Sequence, residues 1–348
     1  MGRVHSDVIQ FRGSHYDFGF MQGELLKDSY ILPNRKKQWA PPNRNFTINE
    51  QQAKMLIQDF SPLIWEEICG LADALEWTMH DAIRDFGGYY LEYVRSGCSI
   101  FTAPDFMVRN YDSAPLGYEG RFALYQPTDG GYATIGPTMQ ITGRTDGMNE
   151  KGLVMGYNFI NRRDSEDGFI CNMIGRLVLE NCATNAEAIA LLKELPHRRS
   201  FSYVLLDQTG ETVVVEASPR KVEVRQSTIS TNHFKLLTEE NRYQIEDSKR
   251  REQVMQDYKQ SSPDAFSAFQ LLNDSQKGVF SKKYATASGT LHTAAYFPET
   301  LEMGFALGPD RLPLMLGFQN WLDGEKLYIK RINGKLDIDI PFVNMAEI

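Results

Sequence analysis

One break in periodicity, at Gly97-Cys98, divides this chain of 348 residues. Before it, apolar residues recur at helical spacing; after it, short apolar runs bounded by turn residues predominate. A change of period this sharp predicts a mainly helical leader, residues 1–97, and a strand-rich body, residues 98–348. A Gly-Cys pair at such a junction has two readings. It can be a small pair packed into a core, or a nucleophile that becomes an N-terminus once the chain cuts itself.

Within the leader, Phe18, Met21, Leu25 and Leu26 share one face of a helix, and Gly19 and Gly23 lower helix propensity or admit a close neighbour. Thr47-Ile48-Asn49-Glu50 has the form of a capping box. Apolar spacing then continues from Met55 to Leu71, with Pro62 a break or kink. Thr78 opens a further helix that the pattern carries through Phe86, Tyr90 and Val94 to Gly97. In the body, residues 99–102 and 106–110 read as a hairpin about Ala103-Pro104-Asp105, and residues 152–159 as a strand. Residues 169–182 read as a buried helix, and Thr184–Glu187 as a second capping box. Residues 239–258 form a charged helix, and Ser262-Pro263 caps another. Hairpins are expected about Phe297-Pro298-Glu299 and about Asn333-Gly334. Helices lying between two blocks of strands predict an α+β fold of two stacked antiparallel sheets covered by helices.

Composition narrows the function. A net charge of -8 argues against a nucleic-acid partner, and 42% hydrophobic with 24% charged residues describes a globular chain. No window is long and apolar enough to span a membrane, and the first residues lack an apolar signal core, so a cytoplasmic protein is expected. Cys69, Cys98, Cys171 and Cys182 have the spacing of neither a disulfide framework nor a zinc site; the last two fall in or near the buried helix and read as core. Phosphate-loop, dinucleotide, zinc-protease and serine-elbow motifs are absent, so neither metal nor organic cofactor is expected.

What remains is a set of polar residues at predicted strand ends: Cys98, Arg109, Asp112, Asn158, Asn232 and His233. Each has a plain structural alternative. Arg109 and Asp112 can be a surface ion pair, Asn158 a buried amide bonded to a loop, and Asn232-His233 turn residues. Tyr89, Tyr90, Tyr93 and Tyr111 are core aromatics or a pocket wall.

The motifs Gly97-Cys98-Ser99, Arg109-Asn110-Tyr111-Asp112, Gly147 to Leu153, Gly156-Tyr157-Asn158-Phe159 and Ser230 to Phe234 follow one another in this order. Together they resemble the N-terminal-nucleophile hydrolases of the choloylglycine hydrolase and penicillin acyltransferase group. The leader, from Arg12 through Gly23, and the segment Gly289-Thr290-Leu291-His292 resemble the acyltransferase branch. The resemblance implies a four-layer αββα sandwich and a propeptide ending at Gly97. It implies a thiol nucleophile at Cys98, with Arg109 beside the thiol, Asp112 orienting the freed α-amine, and Asn158 and Asn232 as oxyanion donors. A further arginine is expected in the charged helix; Arg250 is the candidate, and Arg251 satisfies the spacing as well.

The chemistry is self-consistent. A free thiol titrates at about 8.5 and needs a base. A freed α-amine titrates at about 7.7–8.0 and supplies one on the nucleophile's own residue. The expected reaction is cleavage of a linear amide C–N bond, or transfer of its acyl group, through a thioester on Cys98. The expected partners are a small acyl amide and, in a homo-oligomer, further copies of the chain. Two other readings stay open: an uncleaved, non-catalytic relative that binds a small acyl ligand or a partner, and a cysteine hydrolase using His233 as base.

Overall fold

The computed structural model describes residues 2–39, 48–89, 97–162, 165–242 and 245–347. Strand β1 (Gly2–Gly13) leads into helices α1 (His15–Lys27), α2 (Ile31–Trp39), α3 (Glu50–Phe60), α4 (Pro62–Leu75) and α5 (Met79–Phe86). Strands β2 (Cys98–Ala103), β3 (Phe106–Ser113), β4 (Arg121–Pro127), β5 (Thr134–Met139), β6 (Gly143–Arg144), β7 (Asp146–Asn149) and β8 (Val154–Phe159) follow. Helices α6 (Cys171–Asn181) and α7 (Asn185–Glu194) precede β9 (Phe201–Leu206), β10 (Thr212–Ala217), β11 (Val222–Gln226) and β12 (Ile229–Ser230). The rest comprises α8 (Ile245–Lys259), α9 (Ala265–Asn273), β13 (Lys282–Lys283), β14 (Ser288–Phe297), β15 (Glu302–Leu307), β16 (Leu314–Gly317), α10 (Phe318–Leu322) and β17 (Arg331–Leu336).

Among the described residues these strands build two sheets. The larger runs β11-β10-β9-β8-β7-β5-β4-β1-β17, and the smaller runs β12-β2-β3-β14-β15-β16. Their facing sides share one apolar core in which Ile100, Met107 and Tyr111 of the small sheet meet Phe122 and Leu124 of the large one. Helices α6 and α7 pack on the far side of the large sheet, and α8 and α9 on the far side of the small sheet. The protein is therefore a mixed α+β fold of two stacked sheets between helical layers. No helix among the described residues is long and apolar enough to cross a membrane.

Helix α6 is buried at every residue from Cys171 to Glu180. A helix buried on all sides needs a cover on both. One side meets the large sheet, and the leader supplies the other: Glu67 of α4 accepts a 2.6 Å bond from Arg176 of α6. Helices α1 and α4 pack against each other unusually closely. A Cβ at Gly19 would stand 1.9 Å from the Glu67 carbonyl oxygen, and one at Gly70 would stand 2.1 Å from that of Tyr16.

Several expectations are corrected. The leader is not wholly helical: β1 lies inside the large sheet, parallel to β4 from Asp7↔Arg121 to Gly13↔Pro127 and antiparallel to β17. The cap of α3 is Asn49, which accepts from Gln52 N; Thr47 lies outside the described residues. Helix α5 does begin at Thr78 but ends at Phe86, and residues 90–96 lie outside the described set. Asp264, not Ser262, caps α9. Asn333-Gly334 is not a turn: it lies within β17, opposite His5 and Val4. There the glycine serves close approach, since a Cβ at Gly334 would sit 2.4 Å from Leu307 Cβ. The capping box at Thr184 and Glu187 and the β14–β15 hairpin form as expected.

Candidate active site

Cys98 is the first residue of β2 and faces Tyr111 across the β2–β3 ladder. Alternation on β3 puts Arg109 and Tyr111 on the side toward the large sheet, with Asn110 and Asp112 on the side toward α8 and α9. The contacts follow suit. Arg109 Nη2 lies 3.6 Å from Cys98 Sγ, whereas Asn110 Nδ2 donates to Leu272 O of α9. The Gly97–Cys98 peptide therefore crosses the sheet, with the thiol on the inner face and Gly97 on the α8 face. A Cβ at Gly97 would stand 3.1 Å from Asp112 Oδ2 and 3.7 Å from both Arg251 Nη2 and Asn232 Oδ1.

Both backbone groups of Cys98 are held. The Cys98 amide donates to Asn232 Oδ1 at 2.9 Å, and the Cys98 carbonyl accepts from Arg251 Nη1 at 2.8 Å. Arg251 also donates to Ser99 Oγ at 2.6 Å, to Asn232 Oδ1 at 2.7 Å and to Asp247 at 2.9 Å. Two donors on one atom of Asn232 fix that atom as the oxygen, and its Nδ2 donates to Phe159 O at 2.9 Å.

Strand β8 builds the facing wall. Met155 Cε comes within 2.4 Å of where a Cβ on Gly175 of α6 would be, whereas a Cβ on Gly156 would meet Ile100 Cδ1 of β2 at 3.0 Å, so Gly156, and by alternation Asn158, is on the side of Cys98's sheet. Arg109 extends over Gly156, where a Cβ would meet Arg109 Cδ at 3.1 Å. It then donates from Nη2 to Tyr157 O at 2.8 Å and from Nη1 to Thr145 O and the Asp146 carboxylate. Asn158 lies between the two residues whose carbonyls anchor Arg109 and Asn232. It is fully buried, and neither end of its carboxamide has a partner among the described residues.

Burial dominates the electrostatics here. It pushes the Cys98 thiol above its ordinary value; Arg109 pulls down and Asp112 pushes up, and burial wins. Arg109 therefore does not outweigh burial at this thiol. Burial also pushes Asp112 up to about 7, against the pull of Arg251 and the 2.6 Å bond from Thr290. Burial opposes the charge on Arg109, but Asp146, together with Cys98, Tyr157 and Tyr111, more than restores it.

The structure thus brings Gly97, Cys98, Arg109, Asp112 and Asn232 together, with Asn158 on the facing strand. It does not bring Arg250. That side chain is half-exposed and bonds Gly278 O and Asp247, because consecutive helix residues diverge by about 100°. Arg251 is the residue turned inward. His233 is spoken for as well: Nδ1 meets Ser248 Oγ at 2.8 Å and Nε2 meets Glu252 at 3.3 Å. Tyr89 packs edge-on against Phe169, while Tyr90 and Tyr93 lie outside the described residues. Asp146, next to the Gly147–Leu153 motif, went unnoticed in the sequence, and Thr290, inside the Gly289–His292 segment, had no role assigned there. Among the described residues no group of His, Cys, Asp and Glu could hold a metal ion.

Comparison with known proteins gives these contacts a context. Among solved structures, a penicillin V acylase from Agrobacterium tumefaciens is similar over 64% of this chain and 86% of its own, at 14% identity and a TM-score of 0.46. A conjugated bile acid hydrolase from Clostridium perfringens is similar over 71% and 99%, at 16% identity and 0.45. The Caenorhabditis elegans ortholog of N-acylethanolamine-hydrolyzing acid amidase covers 58% and 92%, at 13% identity and 0.40. No curated protein matches by sequence. The family model described as acyl-coenzyme A:6-aminopenicillanic acid acyl-transferase matches residues 101–311. That match takes in more than half of the chain, which belongs to this acyl-transferase family.

Proposed function

We propose that the protein is a self-processing cysteine amidase or acyltransferase acting on a linear amide C–N bond. Residues 1–97 are its leader and residues 98–348 its catalytic body. The observation that carries this reading is the clamped cysteine: Asn232 on the Cys98 amide, Arg251 on the Cys98 carbonyl, and Arg109 at the sulfur.

In the cut that this reading requires, the Cys98 thiol adds to the Gly97 carbonyl carbon. The Gly97–Cys98 C–N bond breaks to leave a thioester and an α-amine, and water releases the leader from the sulfur. Gly97 suits the step because a side chain there would crowd the Asp112 carboxylate. The new amine then takes the thiol proton when an amide substrate arrives. Asn232 Oδ1, already bonded to that nitrogen, and Asp112, beside Gly97, orient it. The unpartnered Asn158 amide, on the facing strand, serves the oxyanion together with Asn232 Nδ2; such a donor is worth about 3–4 kcal/mol in a dry site. Water or a second amine accepts the acyl group.

Intact mass after purification tests the reading. The expected result is two species whose masses sum to the chain plus one water, the larger beginning at Cys98, and a Cys98→Ala variant that stays full length. The same variant should lose at least about a thousandfold of wild-type turnover on a panel of acyl amides read by mass spectrometry. A chain that stays whole and whose Cys98 resists iodoacetamide would favour a non-catalytic binding relative instead.

A further inference from the structure

Arg109 reaches the sulfur with one nitrogen because its other nitrogen is held elsewhere. Nη1 is taken by Thr145 O and the Asp146 carboxylate, Nη2 by Tyr157 O and Cys98 Sγ, and Nε has no partner among the described residues. Tyr111 and Tyr157 close over the guanidinium, with ring centroids 5.0 and 4.7 Å from its carbon. Arg109 and Asp146 are both fully buried. Asp146 therefore fixes the fork's rotation and cancels its charge where no solvent can.

Asp146 is itself over-determined. Tyr296 OH donates to it at 2.6 Å and Thr145 Oγ1 at 2.7 Å, and His292 Nε2 lies 3.2 Å away. Burial alone would raise its carboxyl, but Arg109 and then His292 hold it well below the usual carboxylate range. An ionised carboxylate only accepts, so His292 carries its proton on Nε2 and leaves Nδ1 to accept from Tyr118 OH at 2.9 Å. Burial lowers His292 below its ordinary value, so the ring is neutral in this role. The register makes this possible. Asp146 is paired with Gly156, over which Arg109 passes, and His292 is paired with Tyr111, which faces Cys98.

We propose that Asp146 is a positioning residue for the Cys98 thiol: it aims Arg109 Nη2 at the sulfur and supplies the counter-charge that keeps the thiol protonated until the α-amine base exists. Tyr296 and His292 hold Asp146 in that role. The inference rests on Cys98 as the nucleophile. The other titratable groups that act on the thiol are Asp112, which pushes it up from the α8 face of the sheet, and Cys171 on α6, itself a thiol that burial keeps protonated; Arg251 lies with Asp112 at Gly97. With Asp146 neutralised, the nearest group able to balance Arg109 is the Cys98 sulfur.

The experiment is a pH titration of the Cys98 thiolate by ultraviolet absorbance, each protein measured against its own Cys98→Ser counterpart. Asp146→Asn should lower the midpoint by about one pH unit or more. Should the unbalanced arginine prevent that variant from folding, the pair Arg109→Met and Arg109→Met/Asp146→Asn keeps the test open, because the double variant restores charge balance. In that background the Asp146 change should move the midpoint by no more than a few tenths of a unit. An unmoved midpoint in Asp146→Asn, or an equal shift without Arg109, overturns the inference. Turnover that survives Cys98→Ala would instead overturn the nucleophile reading, whatever the midpoints do.

Discussion

Arg250 and Arg251 show how much a single helical position decides. Both follow Asp247 at salt-bridge spacing and both contact it, at 3.1 and 2.9 Å. Only Arg251 lies over the Cys98 carbonyl, Ser99 and Asn232, and it is 4% exposed. Arg251→Ala should therefore stop cleavage and cost about 3 kcal/mol or more of stability, since it strips partners from buried polar groups. Arg250→Ala should stay within about 0.5 kcal/mol of wild type and cleave normally; denaturant melts and intact mass read both. Asp112 sets a pH limb. Its carboxyl is pushed up to about 7, so below that pH it is protonated and cannot accept from an amine. The rate of substrate turnover by the cut enzyme should rise with pH through about 7, and Asp112→Asn should flatten that limb. Stability runs the opposite way. The folded state binds this proton more tightly than the unfolded state, so stability falls as pH climbs from the ordinary carboxylate range to about 7. In the sequence, Cys98, Arg109, Asp112, Asn158 and Asn232 could be read as candidates because each sits in a short motif at a strand end. Arg251 could not be separated from Arg250, because their difference is an angle about a helix axis whose contacts come from strands far away in the chain. Asp146 escaped notice because its partners, His292 and Tyr296, are separated from it by most of the body.

At the scale of elements, what was legible depended on whether local chemistry or tertiary contact fixes the element. Thr184 and Glu187 form their capping box from neighbouring residues alone, and α7 begins where they place it. Strand β1 carries Ser6 and His5 amid its apolar residues and shows no clean alternation, so its strand character comes from β4 and β17, not from its own sequence. Asn333-Gly334 is the converse case. A strong local turn signal is overridden because the glycine lets β17 come close against β15 at Leu307. The glycines in α1 gave a correct hint of close packing, and they allow a sharp test. A Cβ at Gly19 would overlap the Glu67 carbonyl at 1.9 Å, and backbone on a buried helix has little freedom to yield. Gly19→Ala should force α1 and α4 apart and lower stability by about 2 kcal/mol or more, despite alanine's better helix propensity. A guanidinium melt gives the sign directly: a gain in stability would mean that the helices can slide apart at no cost.

For the molecule as a whole, the integration of β1 bears on what a cut at Gly97 would do. The leader is hydrogen-bonded into the large sheet between β4 and β17, and its helices cover α6. Among its buried polar links to the body are Glu67 with Arg176, Arg35 with Glu119, Gln22 with Arg121, and His15 with Glu180 at 3.2 Å. Removing one peptide bond breaks none of these contacts, so residues 1–97 and 98–348 should elute together in native size exclusion while giving two masses under denaturing conditions. The hold should depend on pH. Glu180 is held down at about 2: burial pushes it up, but Arg176 and then His15 outweigh that, so its contribution is present above the ordinary carboxylate value and is lost only as pH falls toward about 2. His15 is raised: burial pulls it down, but its bond to Glu180, the charge of that carboxylate and that of Glu67 together outweigh this, so its contribution is complete below the ordinary histidine value and fades as pH rises through the raised value. The two fragments should thus be hardest to separate by mild denaturant between about pH 5 and 6, where both groups are charged, and easier to separate on the alkaline side. His15→Gln keeps a hydrogen-bonding side chain but not the proton, and should flatten the alkaline limb while leaving the acid limb in place. If separation in urea were equally easy at pH 5.5 and at pH 9, the His15–Glu180 pair would have no part in holding the leader.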